Sequence, residues 1–192
     1  LFRSGSQLAA LAHHGALQPL DKYIAASSVV SPDDFFPAIW KSYNYKGHIW
    51  ALGATTNTNF EAYNKDFFRE AGLDAERPPK TIIELEEVTR KLTKWDANGE
   101  LTRLGFLPGG LWKMGLVFGG NWMNEDTGEI TAGDPGNIAA LQWLGDFWKE
   151  YGIENLQNFT AGFGNYWSPN NPFMVGKLAM QSYGEWLEQF QI

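Results

Sequence analysis

Residues 173–186, FMVGKLAMQSYGEW, decide the predicted fold of this chain. The pattern predicts a short helix that runs into Gly176-Lys177, then an apolar strand, then a Gly184-Glu185-Trp186 turn that opens another helix. A buried strand that carries a glycine turn and a large aromatic side chain to its carboxyl end is typical of the ligand-binding edge of an open α/β sheet. A core strand followed by a loop in which Trp186 only packs is an equally good interpretation of these residues alone.

Composition excludes several classes of protein. The chain has 192 residues, 44% of them hydrophobic, and a formal net charge of −7. A sizeable core is therefore expected and a nucleic-acid partner is not, because phosphate contacts need a basic face. No apolar run in the sequence is long enough to span a membrane. The absence of cysteine excludes disulfides and thiol catalysis, and His13, His14 and His48 form no metal-binding pattern, so no cofactor is predicted.

Aromatic side chains make up 15% of the chain, and nine of its residues are Trp. Such a content exceeds what a core of this size needs, so some of these side chains are expected to face a ligand. Trp112, Trp122 and Trp186 each adjoin a glycine-rich turn. Apolar faces beside neutral hydrogen-bonding groups suit a sugar. The candidate polar groups at predicted turns are Ser4, Ser6, Asn57, Asn59 and Asn121, although turns also favour these residue types for their own geometry.

Predicted strands and helices alternate along the chain without repeats, which indicates an α/β fold. The segment 53–59 is polar, rich in Thr and Asn, and lies between two β-like runs, so it predicts a crossing between two lobes. We therefore expect residues 1–54 to belong to a first lobe, residues 55–59 to form a hinge crossing, and residues 60–192 to form a second lobe.

Capping residues predict where several helices begin and end. The expected N-terminal caps are Ser6, Ser31 followed by Pro32, Asn64, and Thr81 in a capping box with Glu84. Gly15 and Gly72 are expected to end two of these helices. Pro135 begins the strongest predicted helix, which ends at Tyr151-Gly152 and presents one face made of Ile138, Leu141, Leu144 and Trp148. Residues 44–47 predict a hairpin turn before a strand over 48–52, and residues 159–167 predict a loop.

No catalytic constellation stands out in the sequence. It contains neither a Gly-x-Ser-x-Gly elbow nor a glycine-rich phosphate loop. A glycosidase needs two placed carboxylates, and Glu185 is a candidate for one of them, so a carbohydrate-active enzyme is the alternative from another class. Residues 96–100 are similar to the start of an EF-hand loop but lack its later ligands and closing Glu, so calcium binding is not favoured.

An ordered set of motifs resembles one known family. The chain is similar to the extracellular solute-binding proteins of ABC sugar importers, the maltose-binding-protein-like group known as family 1. The similarity spans nearly the whole chain, and the order of the motifs makes it specific. The motifs are GALQPLD (15–21), YKGHIWAL (45–52), YNKDFFREAGL (63–73), RPPKT (77–81), FGG (118–120), and FMVGKLAM (173–180) through GEW (184–186).

The resemblance implies a periplasmic-binding-protein fold of type II, with two α/β lobes that close on a ligand about a hinge. It implies capture of a mono- or oligosaccharide and delivery to an ABC permease, without catalysis. It also implies a monomer at the periplasmic or extracellular face of the membrane, either free or lipid-anchored. Relatives are longer at both ends, so we expect this chain to be the incomplete central portion of the fold.

The resemblance also implies which residues contact the ligand. These are Arg3, Ser4 and Ser6 in the first turn, Thr56 and Asn57 at the crossing, the Gly110–Trp112 segment, Gly120 and Trp122, and Glu185 with Trp186. Maltodextrin-binding relatives carry an aromatic residue and a Glu where this chain has Arg3 and Asn57, which argues against maltose. An acidic sugar, or a polyamine, an oxoanion or a metal complex in the same fold, are the remaining alternatives.

Overall fold

The structure is a computed structural model that describes residues 7–56, 58–124, 126–164, 168–185 and 187. It divides into two compact units, Leu1–Thr58 and Asn59–Ile192. Each unit is described here by itself. Among the described residues, none of the helices is long and apolar enough to cross a membrane.

The first unit consists of short elements. Within its described residues, 7–56 and 58, the longest helices have six residues, and two strands form an antiparallel hairpin. Lys46 and Gly47 both adopt positive φ, 52° and 81°, as a two-residue hairpin turn requires. The predicted turn is confirmed, but its second strand is shorter than expected. The elements are α1 (Leu8–His13), α2 (Asp21–Ala25), a 3₁₀ turn (Pro32–Asp34), α3 (Pro37–Ser42), β1 (Asn44–Tyr45) and β2 (His48–Ile49).

The helix predicted after Ser31 is split in two. Ser31 and Asp34 form a reciprocal capping box, but this box caps only the N-terminal end of the short 3₁₀ turn. Phe36 is extended, with ψ at 137°, because the ring of Pro37 excludes the helical conformation for the residue before it. A separate helix, α3, then begins at Pro37. Proline is well suited to the first position of a helix, because the N–H group that it lacks would have no partner within the helix.

The second unit is built on a four-stranded sheet with the order β3-β6-β5-β4. Strand β6 lies in its interior, parallel to β5 and antiparallel to β3. Leu178, Ala179 and Met180 of β6 are 2% exposed or less, so the predicted buried strand is confirmed. The segment 173–177 is a turn and not the predicted short helix. The elements are β3 (Asn59–Tyr63), α4 (Lys65–Glu70), α5 (Ile82–Leu92), β4 (Lys94–Trp95), β5 (Leu101–Phe106), α6 (Leu111–Val117), α7 (Pro135–Tyr151), α8 (Ile153–Ala161) and β6 (Leu178–Gly184).

Two predicted caps begin helices of this unit. The side chain of Asn64 accepts hydrogen bonds from the backbone N–H groups of Asp66 and Phe67 and starts α4. Thr81 accepts from the N–H of Glu84 at 3.2 Å and starts α5. The predicted reciprocal bond of the capping box is wrong, because Glu84 accepts instead from the N–H of Lys80, at 2.8 Å.

Helix α7 has the predicted bounds, but its predicted apolar face is partly wrong. Ile138 and Leu141 are exposed, at 47% and 56%. The buried side contains Asn137, Ala140, Leu144, Phe147 and Tyr151. The first turn of α7 packs closely on the turn that follows α6. A Cβ on Gly136 would lie 2.6 Å from the Cα of Gly120, and a Cβ on Gly120 would lie 2.6 Å from the backbone nitrogen of Asn137, so glycine at both positions allows this approach and Asn137 lies on the buried side.

Helix α8 was not predicted, since residues from Phe159 onward were expected to be loop. Gly152 at φ 78° separates α7 from α8, and Leu156 and Phe159 bury one face at helical spacing. Both side chains pack with Leu104 and Leu178, one from each parallel strand. A second cluster, centred on Phe68, fills the space among α4, α5 and the sheet. These two clusters hold the parallel strand pair β5 and β6 in the interior of the unit.

Candidate ligand-binding site

The carboxyl ends of β5 and β6 lie at one edge of the sheet. Leu104 pairs with Leu178 and Phe106 with Met180 in parallel register, so β5 ends beside Met180 while β6 continues to Gly184. The segment after β5 contacts β6 again at Ser182, through Lys113 of α6. Strand β3 runs the other way, and its first residue, Asn59, pairs with Gly184 at the end of β6. We call this edge the strand-end platform; it is formed by residues 59–60, 108–112 and 184–185. Ligands of open α/β sheets bind at edges of this type.

Trp112 is the most prominent aromatic side chain of the strand-end platform. It lies in the first turn of α6, directly after the Pro108-Gly109-Gly110 turn, and is 63% exposed. Its ring is close to Gly110, because a Cβ at Gly110 would lie 3.5 Å from Trp112 Cδ1. A large aromatic ring that is exposed to solvent in the first turn of a helix offers a flat surface to the C–H face of a sugar. The ligand contact of Trp112, which the sequence resemblance implies, stays a prediction.

Trp122 is fixed against the same helix. Its indole Nε1–H donates to the carbonyl oxygen of Trp112 at 2.9 Å. Its ring packs on Gly115, where an added Cβ would lie 2.7 Å from Trp122 Cζ2. Asn137 holds the turn before it by donating from Nδ2 to the carbonyl oxygen of Asn121 at 2.8 Å. Trp122 is thus half-buried, and it supports the backbone of Trp112.

Gly120 lies inside the unit, unlike the two tryptophans. It is buried, and a Cβ there would collide with Asn137 Oδ1 and lie 2.6 Å from the backbone nitrogen of Asn137. Close packing of the turn on α7 is sufficient reason for a glycine at this position. Its ligand contact stays a prediction.

Three polar side chains near the strand-end platform were missed by the sequence analysis. Glu61 of β3 pairs with Ser182 of β6, and Lys113 of α6 donates from Nζ to Ser182 Oγ at 3.2 Å. Glu61 is exposed as a whole residue, but partial desolvation of its carboxyl group raises its pKa, while the hydrogen bond with Ser182 and the charge of Lys113 lower the pKa in part. The only sequence signal was a charged residue inside the strand segment Phe60-Glu61-Ala62, since its partners depend on strand register. We call Glu61, Lys113 and Ser182 the polar triad.

The other predicted site residues are distributed unevenly. Glu185 is exposed directly after β6, at the platform, and it interacts with another group of the protein. Thr56 is exposed and belongs to the first unit. The predictions for Arg3, Ser4, Ser6, Asn57 and Trp186 lie outside the described residues.

The turn that is similar to an EF-hand start uses its carboxylate for itself. Asp96 Oδ1 accepts from the N–H groups of Asn98 and Glu100 at 2.8 and 2.9 Å. The bond from Glu100 is the main reason that the pKa of Asp96 is lowered. Within the described part of the chain, no group of three or more His, Asp or Glu side chains is arranged to hold a metal ion.

Comparison with known families gives one match over nearly the whole chain. A family model described as "Bacterial extracellular solute-binding protein" matches residues 1–189. A maltotriose-binding protein of Pyrococcus abyssi is 26% identical over 177 residues, which are 91% of this chain and 35% of that protein. A glycerol-3-phosphate-binding periplasmic protein, UgpB of Shigella dysenteriae, is 35% identical over 80 residues, which are 40% of this chain and 18% of that protein.

A solved structure shares the fold. CpMnBP1 with bound mannotriose superposes with a TM-score of 0.85 at 36% identity, over 96% of this chain and 48% of that chain. This likeness confirms the predicted periplasmic-binding-protein fold class. The chain spans about half the length of that protein and about a third of the maltotriose-binding relative.

Proposed function

Because this chain belongs to the bacterial extracellular solute-binding protein family, we propose that it is part of a protein that captures a sugar for an ABC importer. The protein would bind a mono- or oligosaccharide between its two lobes, with segment 55–59 as the crossing, and present it to membrane permease subunits. It would act as a monomer on the periplasmic or extracellular side of the membrane, without catalysis.

The observation that carries this proposal is the exposed ring of Trp112 on the strand-end platform. The ring is held at a fixed position through its backbone carbonyl by Trp122 and through α6 by the core of the second unit. A sugar ring that stacks on it buries C–H groups, and its hydroxyls can reach the polar groups at the ends of β3 and β6. Trp186, which follows Glu185, is proposed to add a second aromatic surface there.

The names of the similar proteins support a sugar and favour oligosaccharides. One relative is named for maltotriose, and one solved structure holds mannotriose. The departures at Arg3 and Asn57 from the maltodextrin pattern make a mannose-based oligosaccharide our first choice over maltose. The identity of 36% to the mannotriose-bound structure, against 26% to the maltotriose-binding relative, agrees with that order.

A second candidate ligand is a glycerol phosphate ester. The specific observation is the 35% identity to the glycerol-3-phosphate-binding protein over 80 residues. Arg3 is the side chain we propose to meet the phosphate in that case, since guanidinium groups bind phosphate with paired hydrogen bonds. Fold and family are the same for both candidates, so only the ligand distinguishes them.

A thermal-shift screen of the full-length protein tests the proposal. A ligand that binds only the native state raises the melting temperature by mass action. We expect a rise with mannotriose or another oligosaccharide and no turnover of any sugar tested. A rise with glycerol 3-phosphate alone would replace the sugar by the second candidate. A rise only with polyamines or other anions would contradict both ligands, and release of products from a glycoside would contradict the binding-protein proposal.

A further inference from the structure

A pocket of about 350 Å³ lies inside the second unit, on one face of the sheet. Its base is formed by β3 and β6, through Tyr63 and Met180, which are paired across the two strands. One wall is the Pro78–Ile82 linker with the start of α5, and the other is Val117 in the last turn of α6. The volume falls within the range that holds small organic molecules in proteins, about 300–1,000 Å³. We call it the linker pocket.

We propose that the linker pocket binds a neutral, largely apolar small molecule that carries one hydroxyl group. The pocket would be a second binding site, which adjoins the strand-end platform at Glu61. The proposal rests on the second unit alone and does not depend on the sugar function.

The side chains that line the pocket favour a ligand whose surface is mostly apolar. Most of the lining side chains are apolar, namely Tyr63, Pro78, Pro79, Ile82, Leu85, Val117 and Met180. Hydroxyl groups that face such walls would lose their hydrogen bonds to water without gaining new ones, which is unfavourable. A free sugar, which has hydroxyls around its ring, therefore does not suit this pocket. An apolar ring or chain of the same size buries its surface there at no such cost.

Glu61 of the polar triad is the reason that the proposed ligand carries one hydroxyl group. Glu61 lines the pocket, and its side chain shares the β-sheet face of Tyr63, which is two residues further along β3. Glu61 is an exposed residue of β3, and an ionised carboxylate has about four acceptor positions, so its side chain has room for another hydrogen bond beside the one with Ser182. A ligand hydroxyl that donates to Glu61 would supply one.

The charge of the neighbours favours a neutral ligand over an amine. Lys113 already lies close enough to Glu61 to lower its pKa, and it is bonded to Ser182. Lys80 lines the same pocket. A ligand ammonium group would therefore enter beside two cations and one carboxylate, which is unfavourable at low dielectric.

The test is calorimetric titration of the full-length protein with 4-ethylphenol and with ethylbenzene, which lacks the hydroxyl. We expect 4-ethylphenol to bind at one site and ethylbenzene to bind at least tenfold more weakly. Ile82→Phe fills the pocket and should weaken 4-ethylphenol at least tenfold. The matched control is Ile83→Phe, because Ile83 is the adjacent residue and is 70% exposed, and it should leave binding unchanged. Val117→Phe replaces Ile82→Phe if that variant does not fold.

Glu61→Leu should remove the difference between the two probes by removing the acceptor. The thermal shift with the sugar identified in the screen should be unchanged in Ile82→Phe, which separates this proposal from the proposed function. Absence of 4-ethylphenol binding would overturn the proposal, because the pocket is then filled or closed in the full protein. The proposal is also overturned if Ile82→Phe binds 4-ethylphenol as tightly as the native protein, or if the native protein binds both probes equally well. It is overturned as well if Ile82→Phe loses the thermal shift with the sugar together with 4-ethylphenol binding.

Discussion

The two units differ in how much core their described residues bury. In the first unit, the buried apolar side chains among those described are Leu8, Ala12 and Ile49, and the helices have five or six residues. The second unit has three apolar clusters around β5 and β6 and helices of up to 17 residues. The strands that carry the strand-end platform are therefore packed on both sides by buried apolar side chains of the second unit. The predictions below start from this difference.

The largest effect is expected for a core truncation in the second unit. Phe68 is 0% exposed and packs in the cluster between α4, α5 and the sheet, so Phe68→Ala should lower the free energy of unfolding by about 3–5 kcal/mol. Phe36→Ala is the matched change in the first unit, where the side chain is 71% exposed, and should cost less than about 0.5 kcal/mol. Urea unfolding of the full-length protein measures both. Equal costs would contradict the difference between the units.

An intermediate effect is expected where α6 and its following turn meet α7. Gly120→Ala should lower the free energy of unfolding by about 1–3 kcal/mol, because its Cβ would collide with Asn137. Gly133→Ala is the control, since a Cβ there meets nothing within 4 Å and its φ is not positive. The same unfolding experiment compares them. If Gly120→Ala costs no more than Gly133→Ala, then the turn is not closely packed, and Trp122 has no rigid support.

The smallest effect is a pH dependence from the polar triad. Partial desolvation raises the pKa of the Glu61 carboxyl group in the folded state above its ordinary value of 4.5, although the residue as a whole is exposed. The unfolded chain then releases this proton first, so Glu61 lowers stability as pH rises from about that value through the folded-state pKa. The stability of Glu61→Gln minus that of the native protein should therefore be larger at pH 7 than at pH 4. Melting curves at the two pH values measure this, and a difference of the opposite sign would show that Lys113 and Ser182 outweigh burial.

Local chemistry explains why part of the fold was predictable. The run Leu178-Ala179-Met180 is continuous and apolar, so it identified the buried strand without any tertiary information. Asn64 and Gly72 act locally, Asn64 through a side chain that caps the nearby N–H groups and Gly72 through a backbone at φ 69°, so they predicted where a helix begins and ends. Trp112 was correctly expected at a turn that follows a strand, although only its exposure in the structure shows that it is open to solvent.

Tertiary contacts explain the rest. The buried face of α7 depends on Gly120 and Gly136, which lie 16 residues apart in sequence and meet only in the folded unit. The polar triad joins β3, α6 and β6, and no local pattern gives the register that places Glu61 opposite Ser182. The linker pocket is a consequence of the same packing. Sequence patterns therefore predicted strand β6 and the bounds of α7, but not α8, the split after Ser31 or the polar triad.

Calorimetric titration of the full-length protein with mannotriose tests the central claim, that the strand-end platform binds the sugar. Trp112→Ala should weaken binding at least tenfold, about 1.4 kcal/mol, while the melting temperature without ligand changes little. Trp95→Ala is the matched control. Trp95 is 42% exposed, and it lies on β4, which is separated from β6 by strand β5. Tenfold or greater loss with Trp112→Ala alone is the predicted result. Unchanged affinity in Trp112→Ala, or an equal loss in Trp95→Ala, would contradict the account.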